Sequence, residues 1–336
     1  MFGFKLIINQ EQPKRILTAC LKTGHIPHAL LFTGKLGVGK RITAMTFAMA
    51  CNCMGKEPDA TEPCGRCISC LKIKSGNHPD IITISPSGHY IKIAQIRSLC
   101  HSLAMKPYEA RLRVVIISDA QTMNPSAGNA LLKVLEEPPA RTILILTAIQ
   151  SSDLLTTIVS RCQHIRFNPI STDNIVKVLT DKEGVDFEEA AVVANIADGS
   201  LSRALAMVKS SHRTSWPDQR SWLINAIGLD RPEAMPMQPV GLLLAYAERL
   251  SKSKSAVADS LEVVQSWLRD LVIYKYSPEK ILNRDMIDKI QYASQQADVK
   301  LLLSKIEAVQ TAQRNIEAKA NLKLTLEMLA MRLAFG

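Results

Sequence analysis

The octapeptide Gly34-Lys35-Leu36-Gly37-Val38-Gly39-Lys40-Arg41 constrains this chain more than any other stretch. It follows the phosphate-loop pattern of Gly, four residues, Gly, Lys, then Ser or Thr, until its last position, which is Arg41. The preceding Ala29–Thr33 reads as a buried strand, and residues 41–50 read as a helix. Strand, loop and helix in this order are the context such a loop requires. Gly34, Gly37 and Gly39 permit a tight turn and a close approach of backbone to phosphates, and Lys40 would reach the outer phosphates. The hydroxyl that should hold Mg²⁺ is missing. A cradle without its metal ligand points to a nucleotide-fold chain that does not itself hydrolyse nucleotide.

Hydrolysis also needs a strand that ends in Asp, usually followed by Glu; the first helps hold Mg²⁺ and the second orients the attacking water. Residues 113–120 supply the strand and Asp119, but the next residue is Ala120. Two losses together argue against an active ATPase. Thr43 lies too far along the helix to restore the missing hydroxyl.

Further short, β-branched runs follow at Ile81–Ile84, 114–117 and 143–147, with 165–167 a weaker fifth. Such runs suit parallel strands covered on both faces. Helical patterns at 93–105 and 126–135 lie between them, the second ended by Pro138-Pro139. The alternation predicts a parallel α/β sheet. After Pro169 the pattern becomes helical: 174–179, 187–197 and 201–208 read as three short helices. A polar stretch at 210–218 reads as a linker, and 231–239, with three prolines, as a second linker or a loop. Beyond it the pattern stays helical, and Leu322, Leu326, Leu329 and Leu333 share one face. A length of 336 residues calls for two or three domains. No apolar run approaches the roughly 18 residues that span a bilayer. Residues 1–10 lack a signal-peptide cleavage pattern, so a cytoplasmic chain with no membrane role is expected. The net charge of +10 favours polyanionic partners, although the Lys and Arg residues are scattered.

Of eight cysteines, Cys53, Cys64, Cys67 and Cys70 are informatively spaced, the last three as two overlapping C-x-x-C steps. Four soft ligands in a short loop suit tetrahedral Zn²⁺ with no open position, hence a structural site. Cys51 could replace Cys53 as first ligand, and buried free thiols are the competing reading. Cys20, Cys100 and Cys162 suit apolar surroundings. Ser160-Arg161-Cys162 stands directly before the last strand of the sheet. An arginine there could act in trans on a phosphoryl group being transferred, or simply form a surface ion pair.

These features occur together, and in this order, in bacterial clamp-loader subunits of the AAA+ class, which the chain resembles over roughly residues 20–210. The most specific match is Asn129-Ala130-Leu131-Leu132-Lys133-Val134-Leu135-Glu136-Glu137-Pro138-Pro139; residues 24–32 and His78-Pro79-Asp80 also look like that family. The resemblance implies an α/β P-loop AAA+ domain with a zinc knuckle over 1–168, a three-helix lid over 169–210 and an all-α collar over 211–336. Arg41 and Ala120 look like the family's member with a degenerate nucleotide site rather than its hydrolysing motor. By that likeness Arg161 is the finger that enters a neighbouring motor subunit's ATP site, and Cys53, Cys64, Cys67 and Cys70 bind zinc. Gly34, Gly37, Gly39, Lys40 and Asp119 form a degenerate nucleotide site, with Thr147 as sensor 1 and Arg203 as sensor 2. ATP would bind weakly there and not be hydrolysed. The implied partners are motor subunits (gamma/tau) and a delta subunit in a hetero-oligomeric ring, the sliding clamp and primed DNA. Polymerase activity would belong to the DNA polymerase III holoenzyme. An active motor ATPase and a nucleotide-binding regulatory or repair protein are the alternatives.

Overall fold

The computed structural model describes residues 2–55, 60–210, 216–227, 247–248, 250–251, 254–318 and 320–335. The chain divides into two compact units: Met1–Asn174 with Gly199–Ser202, and Ile175–Asp198 with Arg203–Gly336.

The first unit is built on five parallel strands: β1 (Ala29–Thr33), β2 (Ile81–Ile84), β3 (Arg113–Ile117), β4 (Thr142–Ala148) and β5 (Gln163–Arg166). Their order is β2-β3-β4-β1-β5. Every residue of β1, β3 and β4 is buried, whereas the edge strands β2 and β5 are partly exposed. Alternate residues of the three central strands therefore serve two cores. Leu31, Val115, Ile117, Leu144 and Leu146 face α4 (Ile93–Leu103) and α5 (Pro125–Glu136). Leu30, Phe32, Val114, Ile116, Ile143 and Ile145 face α1 (Glu11–Thr23) and α2 (Lys40–Asn52). This is the α/β sheet that the sequence predicts, with the helical patterns at 93–105 and 126–135 found on one face.

Local chemistry fixes the helix ends. The Asn124 side chain accepts from the Ala127 amide at 2.8 Å and Pro125 occupies the first turn, so α5 starts there. It ends at Glu136, because the residue before Pro138 is driven out of the helical region. The short helix α3 (Ile68–Ser75) starts at Cys67, whose sulfur accepts from the Cys70 amide. A one-turn helix, α6 (Thr156–Val159), precedes β5.

A buried polar staple holds β2 and β3 to the loop before β3. The Asp80 carboxylate accepts from the amides of Tyr108, Glu109 and Ala110 at 2.8 Å each. Arg113 lies against it at 3.4 Å and donates to the carbonyls of Ser102, Met105 and Lys106. Asn52, at the end of α2, brackets Leu112 with two bonds of 2.9 Å. Each buried charge is thus surrounded by hydrogen bonds, the condition for tolerating it.

The second unit is helical: most of α7 (Thr172–Glu183), α8 (Phe187–Ile196), α9 (Leu201–Ser210) from Arg203 on, α10 (Trp216–Ile227), α11 (Lys254–Tyr274), α12 (Ile287–Gln296), α13 (Val299–Glu317) and α14 (Leu322–Phe335). The long helix α11 packs on α10, α12 and α13, and α13 packs on α14. Leu326, Leu329 and Leu333 are buried, as their spacing predicts. The polar stretch at 210–218 lies largely outside the described residues, but α10 already begins at Trp216. Pro217 falls in its first turn, where a missing N–H costs nothing. The stretch at 231–239 lies outside the described residues. Among the described residues no helix is long and apolar enough to cross a membrane.

Candidate functional site

The sheet order decides what surrounds the phosphate loop. Because β4 stands between β1 and β3, its C-terminal end is wedged between the loop and Asp119. The Gly34 amide donates to Ile149 O at 3.0 Å, and the Asp119 amide donates to Thr147 Oγ1 at 3.1 Å. Thr147, read as sensor 1, thus touches the backbone of the residue read as a metal ligand. These groups gather at the C-terminal edge of a parallel sheet, the side on which such sheets bind ligands.

The loop's glycines answer separate needs. Gly34 has φ 147° and a Cβ there would sit 2.4 Å from Phe167 O. Gly37 has φ 78°, and a Cβ there would sit 2.1 Å from Ser200 Oγ. Ser202 N also donates to Gly37 O at 3.3 Å, so the loop leans on Gly199–Ser202. Gly39, with φ 99°, opens α2 and has open space around it. Gln10 is buried and ties the loop to the strand end, donating to Asn168 O at 2.7 Å and to Val38 O at 3.4 Å. The Phe32 and Phe167 rings, 5.2 Å apart, fasten β1 to the end of β5.

Lys40 is only 6 % exposed. Its ammonium donates to Gly34 O and, at 2.7 Å, to Lys35 O. Burial lowers its pKa to about 8, against the opposing pull of Asp119. Thr43 Oγ1 donates to Gly39 O at 2.9 Å within the helix, and supplies no hydroxyl to the loop. Arg41 is exposed and Ala120 is fully buried. The positions at which the phosphate-loop pattern places a metal-holding hydroxyl and a water-aiming carboxylate carry Arg41 and Ala120.

Arg161 follows α6 on the surface of the first unit. Its guanidinium meets Glu136 Oε1 at 2.8 Å and Thr157 O at 3.0 Å. Arg203 belongs to the second unit, where it pairs with Glu262 and with Asp259 Oδ1 at 3.5 Å.

Cys53, Cys64, Cys67 and Cys70 converge, with all four sulfurs within 4.8 Å of one another. A tetrahedral zinc with bonds of about 2.3 Å holds sulfurs about 3.8 Å apart, so the cluster is compatible with a structural zinc site. Each sulfur of a successive pair accepts a backbone amide: Cys64 N to Cys53 Sγ at 3.3 Å, and Cys67 N to Cys64 Sγ at 3.3 Å. Burial pushes Cys70 and Cys53 up. Burial also acts on Cys67, but amides of Cys70 and Met54 outweigh it and bring that thiol down to about 6. The Arg66 amide chiefly lowers Cys64. Such amides favour thiolates, the form that binds metal. Cys53 is the member of the group, while Cys51 is buried in α2. Cys20, Cys100 and Cys162 pack against the apolar cores, and burial raises Cys162 to about 11.

Sequence reasoning missed Gln10, Ser200 and the Asp80–Arg113 staple. Asp80 lies in His78-Pro79-Asp80 and Arg113 begins the strand at 113–120, but neither reading points to their pairing. Gln10 carries no local pattern, and Ser200 lies in the 199–205 string around the residue read as sensor 2, which says nothing of its contact with the loop.

Comparison with known proteins gives a consistent result. The family described as DNA polymerase III, delta subunit matches residues 9–171, and the one described as DNA polymerase III, delta subunit, C terminal matches residues 234–334. The DNA polymerase III subunit delta' of Bacillus subtilis is 28 % identical, with 98 % of each chain covered. The tau subunit of the same organism is 27 % identical across 98 % of this chain, which spans 61 % of it. A gamma subunit-related protein of Thermotoga maritima has a solved structure similar to this one, with a TM-score of 0.46 and 18 % identity over 96 % of this chain and 98 % of that one. With two family models and a full-length relative in agreement, the chain belongs to the delta-prime family of DNA polymerase III clamp-loader subunits.

Proposed function

We propose that the chain acts as a largely non-hydrolysing stator in a clamp loader that places a sliding clamp on primed DNA. In this reading it sits in a ring with gamma/tau motor subunits and a delta subunit. It lends Arg161 to a neighbour's ATP site, and polymerase chemistry belongs to the holoenzyme. The AAA+ domain would run over 1–168, the lid over 169–210 and the ring-forming collar over 211–336. Cys53, Cys64, Cys67 and Cys70 would hold zinc, which fixes the knuckle and takes no part in catalysis.

The observation that carries this reading is the state of the nucleotide site. Lys40 directs two of its three N–H donors at Gly34 O and Lys35 O, while Arg41 and Ala120 stand where a hydroxyl and a carboxylate would be. ATP would have to win Lys40 from two charge-assisted bonds, each contributing about 1.5–3 kcal/mol. Binding would then be weak, and bound ATP would lack both a second metal ligand and a water-orienting group. Arg203, held by Asp259 and Glu262, would act as a structural residue rather than as sensor 2.

Arg161→Ala tests the reading. In the assembled loader it should lower DNA-stimulated ATP turnover several-fold and leave assembly intact. Unchanged turnover removes the finger role. One observation favours the motor reading instead: Lys40, Asp119 and Thr147 are retained, with Asp119 and Thr147 in contact. Turnover by the isolated chain would establish it.

A further inference from the structure

The family's string of Glu136-Glu137-Pro138-Pro139 has so far been given only a helix-ending role, yet its first carboxylate touches Arg161. Resting on the finger reading above, we propose that Glu136 is the positioning residue for Arg161.

Geometry supplies the argument. Arginine carries five N–H donors in a rigid fork. Glu136 Oε1 faces Nη2 as an ion pair at 2.8 Å. Thr157 O at 3.0 Å and Ser160 Oγ at 3.4 Å take those of Nη1. The Nε–H and an Nη2–H make no hydrogen bond among the described residues and remain for an acceptor from outside the chain. Two such donors on one planar group suit phosphoryl oxygens. Glu136 pairs with the charge at Nη2 and leaves the Nε–H for that acceptor, while Thr157 O and Ser160 Oγ hold the opposite side at Nη1.

The two partners stand on elements that are locked together. Glu136 is the last residue of α5, stopped there by the prolines, and Arg161 comes next after Ser160, the C-cap of the short helix α6. Gly128 of α5 lets the elements approach: a Cβ there would sit 2.9 Å from Leu155 Cδ1 and 3.6 Å from Ile158 Cδ1. Cys162 and Ile158 pack into the same core as Leu131 and Leu135 of α5. The carboxylate thus has a fixed post from which to hold a long side chain. Without it, the guanidinium must be ordered anew at each encounter with the neighbour's phosphates, a cost that falls on kcat.

A double-mutant cycle in the assembled loader tests this. Immobilising one rotamer-rich side chain is worth a few- to tenfold. Glu136→Ala should therefore lower DNA-stimulated kcat about three- to tenfold with KM for ATP unchanged, and Glu136→Gln should lie between it and wild type. In an Arg161→Ala background, Glu136→Ala should cost nothing more. An equal loss in both backgrounds, or a rise in turnover, overturns the proposal. A loader sensitive to Arg161→Ala but indifferent to Glu136→Ala sinks this proposal alone. A loader indifferent to Arg161→Ala sinks the finger reading, and this proposal with it.

Discussion

Asp80→Asn isolates the polar staple that holds the edge of the nucleotide-fold sheet. The carboxylate satisfies three backbone amides at 2.8 Å and faces the buried Arg113 guanidinium at 3.4 Å. Asparagine keeps the shape but turns one oxygen into a donor. If the NH₂ faces Tyr108 it also meets Arg113; if it faces the other way it meets the amides of Glu109 and Ala110. Either way donors oppose donors and Arg113 keeps an unbalanced charge. Breaking a buried pair in this manner costs about 3–5 kcal/mol. All three tryptophans, Trp216, Trp222 and Trp267, belong to the second unit, so their fluorescence follows that unit. Native-state hydrogen exchange on β2 and β3 reports the first. The opening free energy of those amides should fall by about 3–5 kcal/mol, while the tryptophan transition stays put. Amides and Arg113 hold the Asp80 carboxyl below its ordinary range despite burial, which pushes it up. A depressed carboxylate stabilises the fold above its unfolded pKa of about 3.9 and loses that contribution as pH falls through its folded value. The wild type should therefore lose β2–β3 protection below about pH 4, and the variant should lack that component. A loss under about 1 kcal/mol at neutral pH refutes the reasoning.

Two further outcomes follow from the sites. The purified chain should carry about one zinc, and Cys70→Ser should release it; metal analysis that finds none excludes the knuckle as a metal site. Equilibrium dialysis should detect only weak ATP binding at neutral pH, and that affinity should fall as pH rises past about 8, where Lys40 gives up its proton. An affinity unchanged from pH 7 to 9 would show that Lys40 stays on its own loop carbonyls.

The strands were legible because central parallel strands bury both faces. The runs at Ala29–Thr33 and Ile81–Ile84 match the observed elements residue for residue, that at 114–117 misses only the first residue of β3, and that at 143–147 falls short by one residue at each end. Among the described residues four helices, α1, α3, α6 and α10, were not read. In α1, Ile16, Leu17, Cys20 and Leu21 do show the helical spacing, and Gly24 at φ 73° marks the end, so a signal existed. In α3 it did not: Ile68 and Leu71 are exposed while Ser69 and Cys70 are buried, because the cysteine cluster, not an apolar stripe, faces inward. The site was legible where chemistry fixes spacing, as in the loop and the four cysteines. The bonds of Lys40 to its own loop carbonyls, the approach of Ser200 to Gly37 and the Glu136 contact depend on tertiary approach, which no local pattern encodes.

The most direct test of the stator reading is steady-state ATP hydrolysis by the isolated chain, beside Lys40→Ala. The loss of the hydroxyl at Arg41 and of the carboxylate at Ala120 predicts turnover no higher than that of the variant. Clear turnover that Lys40→Ala abolishes would contradict it and make the chain a motor subunit.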